Sequence, residues 1–154
     1  TKKRLEEVEK LVETTKKEGA KILLGGKRPA GFNKGYYYEP TVFDGVQDNF
    51  TIMKQEPFGP LVPMLSFKSF DEVIERSNNN DLGLCSYICT NSMEQAHKAS
   101  ELMETGVVAV NTPVVAIAEA PFGGIKQTGY GREGGSNAIK DYLNVKYTHL
   151  GIKG

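Results

Sequence analysis

Neither sign of charge dominates this 154-residue chain: 19 Lys and Arg offset 19 Asp and Glu, for a formal net charge of zero. Acids and bases are interspersed, so there is no electrostatic case for nucleic acid or for an anionic membrane. Long apolar runs are missing as well. No stretch approaches the roughly 20 residues that span a bilayer. Thr1-Lys2-Lys3-Arg4 leads into a charged amphipathic segment and not a secretory leader. Cysteine is scarce. With only Cys85 and Cys89, nothing suggests a disulfide scaffold, and a reducing cytoplasm is the expected setting. The CxxxC spacing has no histidine close by and does not make a zinc site, so no metal is expected. On a strand, positions 85 and 89 share a face, where free cysteines act as small hydrophobes of the core. His97 lies in a helix beside Lys98 and His149 in the last strand, and both are read as surface or structural groups. Internal repeats and low-complexity segments are absent.

What remains reads as alternating strands and helices. Thr1 to Lys17 carries Leu5, Val8, Leu11 and Val12 on one face, the pattern of an amphipathic helix ended by Gly19. No cap residue precedes it, which suggests that the chain begins inside a larger one. Lys21 to Leu24 is expected to be a short buried strand. Tyr36 to Val42 is a second strand, with Pro40 placing it at an edge or breaking it. Pro60 to Phe67 is the next strand. Ser69-Phe70-Asp71-Glu72 fits a capping box before a helix over 71–77, and Ser92-Met93-Glu94-Gln95 fits another before a helix to about Glu104. The apolar side of that second helix is Met93, Ala96, Ala99 and Met103. Leu84 to Thr90 and Val107 to Val110 are strands, the latter apolar throughout as if buried on both faces. Ser136 to Leu143 is a short helix and Val145 to Ile152 a final strand. This order implies an α/β fold built from βαβ units with a largely parallel sheet, and the length suggests one domain.

The most informative stretch is Pro121 to Gly135, PFGGIKQTGYGREGG, in which six of fifteen residues are glycine. Such a run is neither a regular helix nor a regular strand, because glycine gives up the most backbone freedom on ordering. Phe122, Lys126, Arg132 and Glu133 distinguish it from a bland Gly/Ser linker. It lies within a loop of 24 residues, Thr112 to Gly135, and loops this long in compact domains are usually functional. Gly129-Tyr130-Gly131-Arg132-Glu133-Gly134 matches GxGxxG. It lacks the strand before, the full helix after and the later acid that a dinucleotide fingerprint requires, and is therefore not read as a phosphate site.

Three motifs together carry a resemblance. PFGGIKQTGYGRE resembles the C-terminal signature loop of the NAD(P)-dependent aldehyde dehydrogenases. Gln55-Glu56-Pro57-Phe58-Gly59-Pro60 resembles a second family signature, and Gly106-Val107-Val108-Ala109-Val110-Asn111 a third, in the family's order and spacing. The resemblance covers nearly the whole chain, which matches about the last third of such an enzyme. The REGG and YLNVKY phrases are most similar in wording to the succinate-semialdehyde dehydrogenases. Gln127-Thr128 departs from the serine that most members carry after the PFGG-x-K phrase.

The resemblance implies roles for particular residues. A carboxylate two residues before an aromatic can accept from two adjacent ribose hydroxyls, while the aromatic supports a flat heterocycle. In the family the glutamate matching Glu56 holds the nicotinamide ribose and the phenylalanine matching Phe58 packs by the nicotinamide ring, so both are expected to bind NAD or NADP. Phe122 resembles the phenylalanine lining the aldehyde tunnel. Ala116 stands in the substrate-shaping segment where some relatives carry a bulky aromatic, which suggests room for a substrate tail. Residues 1–143 are expected to be the C-terminal part of the catalytic domain, and 144–154 an oligomerisation strand that reaches a neighbouring subunit, giving a homodimer or homotetramer. An aldehyde dehydrogenase also needs a thiolate nucleophile, a general base and a dinucleotide-binding domain. None is recognisable here, and no catalytic residue is assigned. The expectation is a portion of an enzyme that oxidises an aldehyde, of semialdehyde type, through a cysteine thiohemiacetal and thioester. It would be inactive alone and completed by the remainder of its own chain. The alternative is a non-catalytic α/β interaction or oligomerisation module.

Overall fold

Thr1 caps the first helix, α1 (Lys2–Lys17): its hydroxyl accepts from the Arg4 N–H at 3.2 Å. The absence of a cap expected from the sequence is thereby corrected, because Thr1 itself is the N-cap. The computed structural model describes residues 1–152. They form two compact units, residues 1–68 and 69–152, where the length alone suggested one domain.

The first unit holds α1, β1 (Lys21–Leu24), β2 (Thr41–Asp44), α2 (Thr51–Lys54) and β3 (Leu61–Pro63). The apolar stripe of α1 does what its spacing predicts. Leu5, Val8, Leu11 and Val12 are all buried, and the last three pack with Phe43, Val46, Phe50, Ile52 and Leu61. Phe43 is fully buried, a gain of about 1.5–3 kcal/mol for one side chain. Strand β2 lies between antiparallel β1 and parallel β3. As an edge strand, β1 is not buried as expected: Leu23 and Leu24 are exposed. The strand expected over 36–42 starts only at Thr41. Tyr36, Tyr37 and Phe32 stay exposed in the preceding loop, with the Phe32 and Tyr37 rings 5.0 Å apart. That loop is tied down by Arg28, whose Nε and Nη2 both donate to Glu9 of α1. It is also tied by buried Thr41, whose hydroxyl donates to the Glu39 carbonyl and accepts from the Gly26 N–H.

The second unit holds α3 (Phe70–Asn78), β4 (Leu82–Gly83), β5 (Cys85–Ile88), α4 (Met93–Leu102), β6 (Val107–Val110), β7 (Ile125–Lys126) and a 3-10 helix (Ala138–Tyr142). Both serine caps form: Ser69 accepts from Glu72 N–H and Ser92 from Gln95 N–H. Strands β5 and β6 pair in parallel across the α4 crossover, from Cys85 with Val107 to Ile88 with Val110. β4 and β7 pair antiparallel. The α/β class with parallel pairing holds: β2–β3 and β5–β6 are parallel, and the β1–β2 and β4–β7 pairs are antiparallel. Of the expected apolar side of α4 only Ala99 is buried, and Met93 is exposed. β6 is half-buried, with Ala109 alone buried.

Asn111 ends the β6 ladder. Its backbone takes a left-handed turn (φ 55°), which asparagine tolerates better than most residues. Its side-chain amide donates to the Thr90 carbonyl at 2.8 Å and accepts from the Thr90 N–H at 3.0 Å, adding one more rung. The helix ends α3 and α4 are joined by Asn78, which donates to Leu102 O and accepts from Glu104 N–H. Lys126 donates to the carbonyls of Asn78 and Asn80 and pairs with Glu104 at 2.6 Å.

A seam of glycines explains the close packing of this unit. A Cβ on Gly106 would lie 1.9 Å from the Gly123 carbonyl oxygen, and one on Gly83 would lie 2.8 Å from that of Glu104. Backbone meets backbone there, which only glycine allows. The strand expected over 145–152 does not form: no element follows Tyr142 among the described residues, and Val145, Tyr147, Leu150 and Ile152 are exposed. Residues 153 and 154 of the expected oligomerisation segment lie outside the described residues.

Candidate functional site

In the first unit, α2 ends at Gln55, which returns the chain to extended geometry (φ −140°, ψ 150°). Pro57 bars the helical region for Glu56, so the chain cannot continue as a helix and instead enters a tight turn. Gly59 N–H donates to Pro57 O and Leu61 N–H to Gly59 O, each at 2.8 Å. The turn lies directly on α1, since a Cβ on Gly59 would meet Val8 Cγ2 at 2.6 Å. Glu56 and Phe58 are both exposed, Phe58 at 64%. The Glu56 carboxylate has no hydrogen bond or ion pair among the described residues, which leaves its acceptor positions available. The Arg4 guanidinium stands 5.5 Å from the centroid of the Phe58 ring. Beside the turn is a cavity of about 370 Å³, whose lining includes Arg4, Glu7, Leu11, Gln55, Glu56 and Phe58. Sequence reasoning found Glu56 and Phe58 but missed Arg4 and Glu7. They lie on the polar face of α1, and nothing local marks that face as lining a site.

In the second unit, Phe122 is half-buried and forms a two-bond bridge with Glu133, N–H to O at 2.7 Å in each direction. Arg132 closes the loop from within. Its Nη1 donates to the carbonyls of Gly124 and Gly131, and its backbone N–H donates to the Asp141 carboxylate at 2.9 Å. Gly135 N–H donates to Ala118 O, drawing segment 112–121 onto the end of the loop. A cavity of about 350 Å³ is lined by Leu84, Phe122, Thr128, Tyr130, Arg132 and Asp141 among others. Ala116 is exposed and does not line it. The GxGxxG segment has the wrong surroundings for a phosphate cradle. It follows the two-residue β7 at a distance and is succeeded by a short 3-10 helix, and Arg132 and Asp141 occupy it.

Cys85 is half-buried on β5, but Cys89 is exposed beyond the end of the strand, which corrects its expected place in the core. The Cys85 thiol interacts with the Tyr87 hydroxyl, two residues along the same face, and that hydrogen bond holds the phenol above its ordinary range. His97 and His149 are both exposed, and His149 Nδ1 lies 3.1 Å from the Tyr147 hydroxyl. Among the described residues no cluster of His, Cys, Asp and Glu could hold a metal ion, and no helix is long and apolar enough to cross a membrane.

Comparison with known proteins shows what the chain is similar to. A family model described as "Aldehyde dehydrogenase family" matches residues 1–148. A mitochondrial succinate-semialdehyde dehydrogenase of Arabidopsis thaliana is 41% identical over 148 residues, covering 96% of this chain and 28% of its own length. Retinaldehyde dehydrogenase 3 of Homo sapiens is 44% identical over 144 residues, covering 94% and 28%. The NAD+ complex of an aldehyde dehydrogenase from Bacillus cereus superposes with a TM-score of 0.94 at 44% identity, covering 99% of this chain and 31% of that one. The chain thus spans under a third of the length of the relatives it matches.

Proposed function

The chain belongs to the aldehyde dehydrogenase family, and on that premise we propose that it is the C-terminal portion of an NAD(P)+-dependent enzyme. That enzyme oxidises an aldehyde, of semialdehyde type, to the carboxylic acid through a cysteine thiohemiacetal and thioester. The observation that carries the reading is the turn at 55–58: an exposed carboxylate without a partner among the described residues, an exposed aromatic ring two residues on, and a cavity beside them. These residues fit a nicotinamide nucleotide, because a carboxylate accepts from two vicinal ribose hydroxyls and an open ring face receives a flat heterocycle. When bound, such a cofactor takes a hydride from the substrate carbon. Glu56 orients the ribose and Phe58 packs by the nicotinamide ring. Phe122 walls the aldehyde path, and Ala116 leaves space for the substrate tail.

The thiol nucleophile and the general base come from the remainder of the polypeptide. The sequence contexts of Cys85 and Cys89 differ from that of the family nucleophile. Residues 144–154 join subunits of a homodimer or homotetramer, and two unpaired thiols suit a reducing cytoplasm. The isolated chain turns over no aldehyde. Glu56→Gln in the complete enzyme is expected to weaken cofactor affinity and slow hydride transfer. If both are unchanged, the role of Glu56 is wrong.

A second reading, a non-catalytic oligomerisation module, draws on the exposed apolar residues Val145, Tyr147, Leu150 and Ile152. It predicts that the isolated chain is a discrete dimer with no affinity for NAD(P)+, which sedimentation and cofactor titration would show.

A further inference from the structure

Helix α2 is a single turn, and a lone turn is unfavourable by itself because its nucleus fixes several residues for little bonding. Its N-cap residue is Phe50, whose side chain cannot accept a hydrogen bond, so the first amides of the turn need an acceptor from elsewhere. Glu18 supplies it from 33 residues upstream. Standing as the C-cap of α1, Glu18 takes the Thr51 N–H on its two carboxylate oxygens at 3.1 and 3.0 Å, and it also accepts from the Thr51 hydroxyl. A negative charge at a helix N-terminus is favoured by the backbone dipoles as well. Ile52, 2% exposed, pins the other side of the turn in the core. The chain runs from Lys54 at the end of α2 directly into Gln55 and Glu56, so whatever holds Thr51 sets the origin from which Glu56 and Phe58 are placed.

We propose that Glu18 is a positioning residue for the cofactor turn, acting through Thr51 and α2. This rests on the reading of Glu56 and Phe58 given above. A charge-assisted pair of this kind is worth enough to be felt as about a tenfold change in rate.

The test uses the complete enzyme with an aldehyde deuterated at its carbonyl carbon. In Glu18→Ala, kcat is expected to fall about tenfold. The primary isotope effect on kcat should rise, the cofactor KM should rise severalfold, and the aldehyde KM should stay within about twofold. Glu18→Gln and Thr51→Val, which each keep part of the contact, are expected to lie between wild type and Glu18→Ala, and they carry the test should Glu18→Ala not fold. Thr51→Ser, which keeps the hydroxyl, should behave as wild type. Arg28→Ala, which unties the loop before β2 from Glu9 in the same unit and lies outside the core cluster that holds α2, should leave the isotope effect alone. Phe58→Ala separates the two levels of argument. If it leaves the isotope effect flat, the turn is not a cofactor site and the inference falls with that reading. If Phe58→Ala raises the isotope effect while Glu18→Gln and Thr51→Val only lower the amount of folded enzyme, Glu18 is a structural tie and the positioning role is overturned.

Discussion

Replacing Gly106 by alanine tests whether the glycine seam holds the Phe122 loop in place. Gly106 has no left-handed backbone, so alanine brings no dihedral strain there, and its whole effect comes from the added methyl. That methyl would sit 1.9 Å from the Gly123 carbonyl oxygen and 2.9 Å from the Gly124 Cα. Contacts under 3.0 Å are essentially never tolerated, so loop and strand must separate by about 1 Å. Neither side yields readily. Gly106 N–H is bonded to Gly83 O at 3.0 Å, and the loop is stitched by the Phe122–Glu133 bridge and by Arg132 on Gly124 O. Forcing a methyl into such packing costs about 1–3 kcal/mol, and the absence of any movable side chain argues for the upper end. With a urea dependence of about 2 kcal/mol per molar, the unfolding midpoint of the chain should drop by about 1–1.5 M. Gly129→Ala is the matched control in the same unit. Gly129 has φ +118° and nothing within 4 Å of its added methyl, so it reports dihedral strain alone, about 1–3 kcal/mol. Urea unfolding of the three proteins by far-UV circular dichroism decides the matter. If Gly106→Ala lowers the midpoint by less than about 0.5 M, the seam is not tight and the argument for a fixed Phe122 fails.

Phe122→Ala in the complete enzyme should change relative kcat/KM among aldehydes of different bulk by at least about tenfold, the scale of one methylene in an apolar pocket, while cofactor affinity stays put; the opposite pattern would remove Phe122 from the aldehyde path. Arg28→Ala tests a pH-linked contact. The hydrogen bonds from Arg28 hold the Glu9 carboxyl below its ordinary range, so the pair's contribution is present above the unfolded pKa of Glu9 and is lost as pH falls through its lower folded pKa. The stabilities of wild type and Arg28→Ala should therefore differ near neutral pH and converge in acid. A difference that stays constant down to low pH would show that Arg28 acts through packing and not through charge.

Local signals were read from the sequence with little loss. The stripe of α1 and the serine caps of α3 and α4 depend on residues three or four apart, and each formed where its pattern lay. Features that depend on distant partners were not legible. Strand β7 consists of two residues inside the glycine run and exists because Leu82 and Gly83 lie beside it, more than 40 positions away. The aromatic run Tyr36-Tyr37-Tyr38 has high strand propensity, yet pairing begins only at Thr41, past Pro40, which has no N–H to give to a ladder. Val145 to Ile152 has strand composition without a strand, since propensity supplies no neighbour. At the candidate site, Glu56 and Phe58 were legible as a motif. Arg4 and Glu18 were not, because their link to the turn is made in space by the packing of α1.

The stitching of the glycine run also bears on how the chain meets a protease. A protease needs a stretch of backbone that can be pulled out into its cleft, and glycine-rich sequence suggests such a stretch at Lys126 and Arg132. Both basic residues are instead spent on internal carbonyls, Lys126 on Asn78 and Asn80, Arg132 on Gly124 and Gly131. Lys146 stands in an exposed segment with no ladder. Brief trypsin treatment should trim the chain at Lys146 first and leave the most flexible-looking sequence in the molecule uncut.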